Sequence, residues 1–228
     1  MTATFVRRAG QGPAVVCLHA NAASSSQWRG LMDRLSTRYT VVAPDAYGSG
    51  KGPAWTEPRL MDLEDEAALI RPLLDGLDCP LCFVGHSHGA AVALLLALEM
   101  HRHQPGRVAA LALYEPTLFA VALQLDRHDP DVAGIQDAVR RSVALTAAGD
   151  PDRGAGAFID YWMGDGAWAA TSEAASRRSS TPLDWWTTGD MRCANRRCGP
   201  KISKLWTCRC STASVHRRDP PRGGWPSC

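Results

Sequence analysis

The chain lacks any apolar run approaching the ~18 residues of a membrane-spanning helix, which excludes a span of that kind. Its opening stretch, Met1 to Gly12, holds no apolar segment of the length a secretory leader needs. The expectation is therefore a cytoplasmic protein with reduced thiols and no membrane partner. Strong net charge is missing too. Lys and Arg number 25 against 23 Asp and Glu, a balance of +2 that calls for no nucleic-acid partner and no acidic surface. No segment repeats at a fixed period, which excludes solenoids and arrays. What the chain does have is length for one domain, at 228 residues, and enough apolar side chains, at 45%, to bury a sizeable core.

Charge and cysteine are unevenly spread. Gly189 to Cys228 holds nine Lys and Arg against two Asp and Glu, a net of +7, so the remainder carries −5. Five of the eight cysteines (Cys193, Cys198, Cys208, Cys210 and Cys228) fall in the same tail. Cys17 and Cys82, by contrast, lie inside apolar runs and read as small core hydrophobes.

Up to Pro116, strand-like and helix-like patterns alternate. Ala14 to Leu18, Tyr39 to Ala43 (stopped by Pro44), Leu81 to Val84 and Val108 to Leu113 are short continuous apolar runs, as strands buried on both faces require. Between them Ser24–Leu35 shows Trp28, Leu31, Met32 and Leu35 at helical spacing. Leu60–Leu77 carries Leu63, Ala67, Ile70 and Leu74 on one stripe with acids interleaved. Ala90–Met100 is apolar nearly all round, the mark of a helix enclosed by neighbours. Four such alternations predict an α/β fold, a mostly parallel sheet flanked by helices. Beyond it, 132–147 and 153–163 read as helices laid over the sheet, and from about Ser172 periodicity fades. The organisation expected is a core over 1–119, a helical cap region over 120–171, and an irregular, basic, cysteine-rich tail over 172–228.

The motif with chemical content is Gly85-His86-Ser87-His88-Gly89. It follows a buried strand and opens an apolar helix, the context a G-x-S-x-G nucleophile elbow requires. A chain turning that sharply strains its central residue and lets its flanks pass only as glycine. The hydroxyl is then lifted from the C-terminal edge of the sheet, where the helix start favours negative charge. Read apart from that context, the same residues are a Gly-rich turn with an incidental serine.

Directly after the first apolar run comes Leu18-His19-Ala20-Asn21-Ala22, then Ser24 and Trp28, then Ala43-Pro44-Asp45-Ala46-Tyr47-Gly48-Ser49-Gly50. In this order, with the elbow, they resemble the α/β-hydrolase superfamily with a cap domain over roughly residues 5 to 119. Leu113-Tyr114-Glu115-Pro116 resembles the end of that family's next strand. Phe158 to Trp162 and Gly166-Ala167-Trp168 look like its cap. The resemblance implies roles. Ser87 would be the nucleophile, and the backbone N–H groups of Asn21 and His88 the oxyanion hole. His19, Ala20, His86 and Trp28 would support the pocket, with Ala20 standing where the family commonly has glycine. No cofactor and no metal are implied. The partner expected is a small-molecule substrate, an ester or related carbonyl compound cleaved through an acyl-enzyme. Relatives that act as dehalogenases or epoxide hydrolases use aspartate at the elbow and fit less well. A non-catalytic protein binding a small ligand on the same fold is the alternative.

The triad's acid and base should follow later strands, and no apolar run of four or more appears beyond Trp168. Glu115, at the end of the strand beside the elbow strand, is one candidate acid, and Asp190 ranks below it. His216 is the single late histidine and so the candidate base, though no strand precedes it. His101, His103 and His128 fall near the end of the elbow helix and the start of the cap. Three readings of the tail stand side by side: a zinc site, for which Cys193-x₄-Cys198 and Cys208-x-Cys210 are poorly spaced, a basic nucleic-acid arm, and a shift of reading frame between about Thr171 and Trp186. The last accounts best for a composition rich in Arg, Ser, Pro, Trp and Cys without periodicity. Translating the gene's other two frames tests it, since one of them should restore two apolar strands and a late histidine. On that reading the chain has little or no turnover and marginal stability with aggregation, and a cooperative melt above ~60 °C would contradict it.

Overall fold

Four of the five strands form where the apolar runs place them, and they pair in parallel. The computed structural model describes residues 3–170, apart from Leu60, Asp78, Cys79 and Arg127. Its strands are β1 (Val6–Ala9), β2 (Ala14–Leu18), β3 (Thr40–Pro44), β4 (Leu81–His86) and β5 (Val108–Tyr114), in the sheet order β1-β3-β2-β4-β5. β1 runs antiparallel to β3, and the other pairs are parallel. The chain is thus an α/β fold with a mostly parallel sheet. β1 has no counterpart in the sequence reading. Its Val-Arg-Arg-Ala sequence looks polar, but an edge strand needs only partial burial and takes its register from the ladder with β3.

The helices are α1 (Arg29–Leu35), α2 (Leu63–Asp75), α3 (His88–His103), α4 (Phe119–Leu125), α5 (Pro130–Ala147), α6 (Pro151–Met163) and α7 (Ala167–Ala170). None of them is long and apolar enough to cross a membrane. The first expected helix is shorter than its periodicity suggested. Ser24 caps a 3-10 turn over Ser25–Trp28, and only then does α1 begin. Likewise α2 starts at Leu63 rather than Leu60, because Asp62 and Asp65 form a reciprocal capping box. Asp65 N–H donates to Asp62 Oδ1 at 3.1 Å and Asp62 N–H to Asp65 Oδ2 at 2.9 Å. The short α4, after Pro116, was not expected.

Period-two alternation in the strands divides the core. Val16, Leu18, Val42, Leu81 and Phe83 face α2 and α3, packing on Ile70, Ala93 and Leu96. Val15, Cys17, Val41 and Ala43 face the other way, toward Met32, Trp28 and Leu35. Cys17 is fully buried and burial pushes its thiol up to about 12, so it behaves as the core hydrophobe expected. The segments read as cap helices form α5 and α6, joined through Ile135, Val139, Ala155 and Phe158. β5 borders the sheet among the described residues, with Leu111 and Tyr114 37% and 62% exposed. Residues 171–228, and with them the readings of the tail, lie outside the described residues.

Candidate active site

Ser87 sits between the last residue of β4 and the first of α3, with φ 54° and ψ −119°. A positive φ at a non-glycine residue is strained by about 1–3 kcal/mol and persists only where its surroundings fix it. Here they do so on both sides. Ser87 N–H donates to Tyr114 O at 2.9 Å. Ser87 O accepts from the amides of Ala90 (3.0 Å), Ala91 (3.2 Å) and Thr117 (3.3 Å). The flanking glycines are required by close approach. A Cβ on Gly85 would stand 2.5 Å from Ala90 Cα, and one on Gly89 would fall on the carbonyl oxygens of Leu18 and His19. The elbow helix is therefore pressed against the loop after β2. The Ser87 hydroxyl makes no hydrogen bond among the described residues.

That loop is held by buried polar groups. Ala46 N–H donates to His19 Nε2 at 3.0 Å, so the neutral ring carries its proton on Nδ1 and donates it to Ala20 O at 2.7 Å. Burial pushes the pKa of His19 down, against the pull of the Ala20 carbonyl and Asp45. The ring braces the loop and is poorly placed to accept a second proton. Ala20 does not need a positive φ, whereas Ala22 takes one, 52°. Asn21 is 9% exposed, and its side-chain amide has no hydrogen-bond partner among the described residues. His88 opens α3 with its ring 5% exposed. Asp45 is 2% exposed and ties two further segments in, accepting from Ser25 N–H (2.6 Å) and Lys51 N–H (2.8 Å).

Two residues of the site escaped the sequence reading. Glu66 is 1% exposed, accepts from Tyr47 N–H at 3.1 Å, and shares a cavity of about 20 Å³ with His19 and His88 behind the elbow. Burial pushes its carboxyl up to about 7, while His88 and the Tyr47 amide act to lower it. A signal was present. Glu66 lies three residues after Leu63 and four before Ile70, on the buried stripe itself, where an acid is out of place. The other is Gln27, which accepts from Ala20 N–H at 3.0 Å through Oε1 and faces His86 Nδ1 at 2.9 Å through Nε2. Nothing in the Ser-rich turn marks it.

The remaining candidates divide by position. Trp28 and His86 line a cleft of about 400 Å³ with Gln27, Val84, Leu113 and Tyr114, just beneath the elbow. Glu115 has φ 49° and a carboxyl 70% exposed, 4.0 Å from His86 Nε2. The structure thus brings Glu115 to His86, with no hydrogen bond from either to the Ser87 hydroxyl. His101 and His103 sit at the far end of α3, about 20 Å along the helix from Ser87. Asp190 and His216 lie outside the described residues.

A model of the alpha/beta hydrolase family matches residues 15–220. The chain belongs to the alpha/beta hydrolase family. As a member it is 32% identical over 159 residues to the pimeloyl-[acyl-carrier protein] methyl ester esterase of Methylococcus capsulatus, covering 65% of this chain and 58% of the esterase. It is 38% identical over 118 residues to lipase LipV of Mycobacterium tuberculosis, covering 51% of this chain and 41% of the lipase. The chain therefore spans about half the length of these relatives, or less. Among solved structures, a hydrolase from Pseudomonas aeruginosa aligns with a TM-score of 0.57 at 20% identity, over 81% of this chain and 67% of that one, a likeness of fold.

Proposed function

We propose that this alpha/beta hydrolase is of the serine type and cleaves a small ester or related carbonyl compound through an acyl-enzyme. The observation that supports it most is the conformation of Ser87, strained, fixed by four backbone hydrogen bonds and standing at the start of a sixteen-residue helix whose first turns are buried. Backbone strain of this kind clusters at active sites and ligand clamps. Two of the relatives are named an esterase and a lipase, which fits the same chemistry.

In this reading the Ser87 oxygen attacks the carbonyl carbon as its proton passes to a base. The carbonyl oxygen becomes an oxyanion facing the amides of His88 and Asn21, and the leaving alcohol takes the proton. Water then attacks the acyl-Ser87 ester and restores the enzyme. Loss of one oxyanion donor costs about 2.7–4 kcal/mol of transition-state stabilisation in well-studied cases. Glu115 and His216 are the candidate acid and base. Incubation with a short-chain activated ester tests the proposal. Mass spectrometry should find one acyl group on Ser87 and none on Ser87→Ala. A wild-type chain that never acylates while binding the ester with unchanged affinity would favour a non-catalytic ligand-binding role instead.

A further inference from the structure

Gln27 has one carbonyl oxygen and one NH₂ group, and the structure commits both. The Ala20 amide can only donate, so the Gln27 oxygen must face it, at 3.0 Å. The NH₂ is then left for His86, at 2.9 Å from Nδ1, which must accept. A neutral His86 in this arrangement carries its proton on Nε2, the nitrogen that faces the Glu115 carboxylate at 4.0 Å. Ala20 is held from its other side as well, since its carbonyl accepts from His19. Ala20 is thus held at its amide nitrogen by Gln27 and at its carbonyl oxygen, which belongs to the peptide joining it to Asn21, by His19.

Protonation of His86 breaks this chain of bonds. A charged imidazole donates from both nitrogens and leaves the Gln27 NH₂ facing a donor. Turning the Gln27 amide over satisfies His86 but presents NH₂ to the Ala20 N–H, again donor against donor. One oxygen cannot serve both. The charged or titratable groups facing His86 among the described residues are Glu115 and Tyr114, the latter with its ring centroid 5.0 Å away.

We propose that Gln27 is a positioning residue that couples the loop carrying Asn21 to the protonation state of His86, so that acid releases the Ala20 amide and loosens that loop. The consequence for catalysis rests on the serine-hydrolase reading; the coupling itself does not, because it is read from hydrogen bonds alone.

Amide hydrogen exchange at Ala20, followed by NMR at about pH 8 and about pH 5, tests it. The protection factor, which corrects for the intrinsic pH dependence of exchange, should fall about five- to tenfold in the wild type on acidification, the worth of one hydrogen bond. Gln27→Leu should show low protection at both pH values. Gln27→Glu should keep protection at both, because a carboxylate has an acceptor for each neighbour. Wild-type protection that does not change with pH, or protection retained in Gln27→Leu, would overturn the proposal. None of these outcomes depends on whether Ser87 reacts, so a chain without acylation would sink the functional reading and leave the coupling standing.

Discussion

Replacing Asp45 by alanine should lower the unfolding free energy by about 3–5 kcal/mol, measured by urea denaturation. The carboxylate is 2% exposed and accepts two backbone amides, Ser25 N–H at 2.6 Å and Lys51 N–H at 2.8 Å. Charge-assisted bonds of this kind contribute about 1.5–3 kcal/mol each, and removing the acceptor leaves two donors to be resolvated. Gly50 packs against the same carboxylate so closely that a Cβ there would overlap it. Substitution therefore also frees the Gly-rich loop after β3. The effect should extend to the site, because Asp45 anchors the 3-10 turn that carries Gln27. Asp45→Asn keeps one good acceptor and should lose about half as much. A change below about 1 kcal/mol for Asp45→Ala would mean that water replaces the carboxylate and that the loops are held by packing alone.

The second large effect is a pH dependence of stability that Glu66→Gln removes. Burial raises the Glu66 carboxyl from 4.5 to about 7 in the folded chain. The unfolded chain releases this proton more readily, so ionisation favours unfolding. The contribution is fully present below the unfolded value, near 4.5, and is lost as pH rises through about 7. A shift of this size corresponds to about 3 kcal/mol across that window. His19 works in the opposite sense. Its pKa is pushed down, so its contribution is present above 6.5 and is lost as pH falls below that. Comparing wild type with Glu66→Gln at each pH isolates the carboxyl, because His19, His88, Asp45, Asp65 and Tyr47 are common to both. Glutamine keeps the acceptor for the Tyr47 amide. The variant should gain on the wild type by about 3 kcal/mol between pH ~4.5 and ~8. Parallel curves would show that Glu66 is solvated or that His88 holds it ionised throughout.

Much of this was legible in the sequence, for physical reasons that can be named. Buried parallel strands need apolar runs, and four of the five strands announced themselves in that way. The elbow was legible because close backbone approach at positions 85 and 89 admits only glycine. What escaped was decided by tertiary contacts. β1 is polar in composition and is a strand because β3 offers it a ladder. The 3-10 turn over Ser25–Trp28 replaces a helical turn because Asp45, twenty residues on, takes the Ser25 amide. Gln27 matters only because Ala20 and His86 meet around it. Glu66 is the instructive case, since it stands on the apolar stripe of α2 while its neighbours Glu64 and Asp65 make it look like one of several solvated charges.

The claim on which the functional reading depends is that Ser87 is presented for attack. Treatment of the full chain with a fluorophosphonate, followed by peptide mass spectrometry, measures that directly. The account predicts a single phosphonylated residue, Ser87, with labelling abolished by Ser87→Ala and by denaturing the chain first. Native protein that stays unlabelled at Ser87, or label spread over other serines at the rate seen after denaturation, would contradict it.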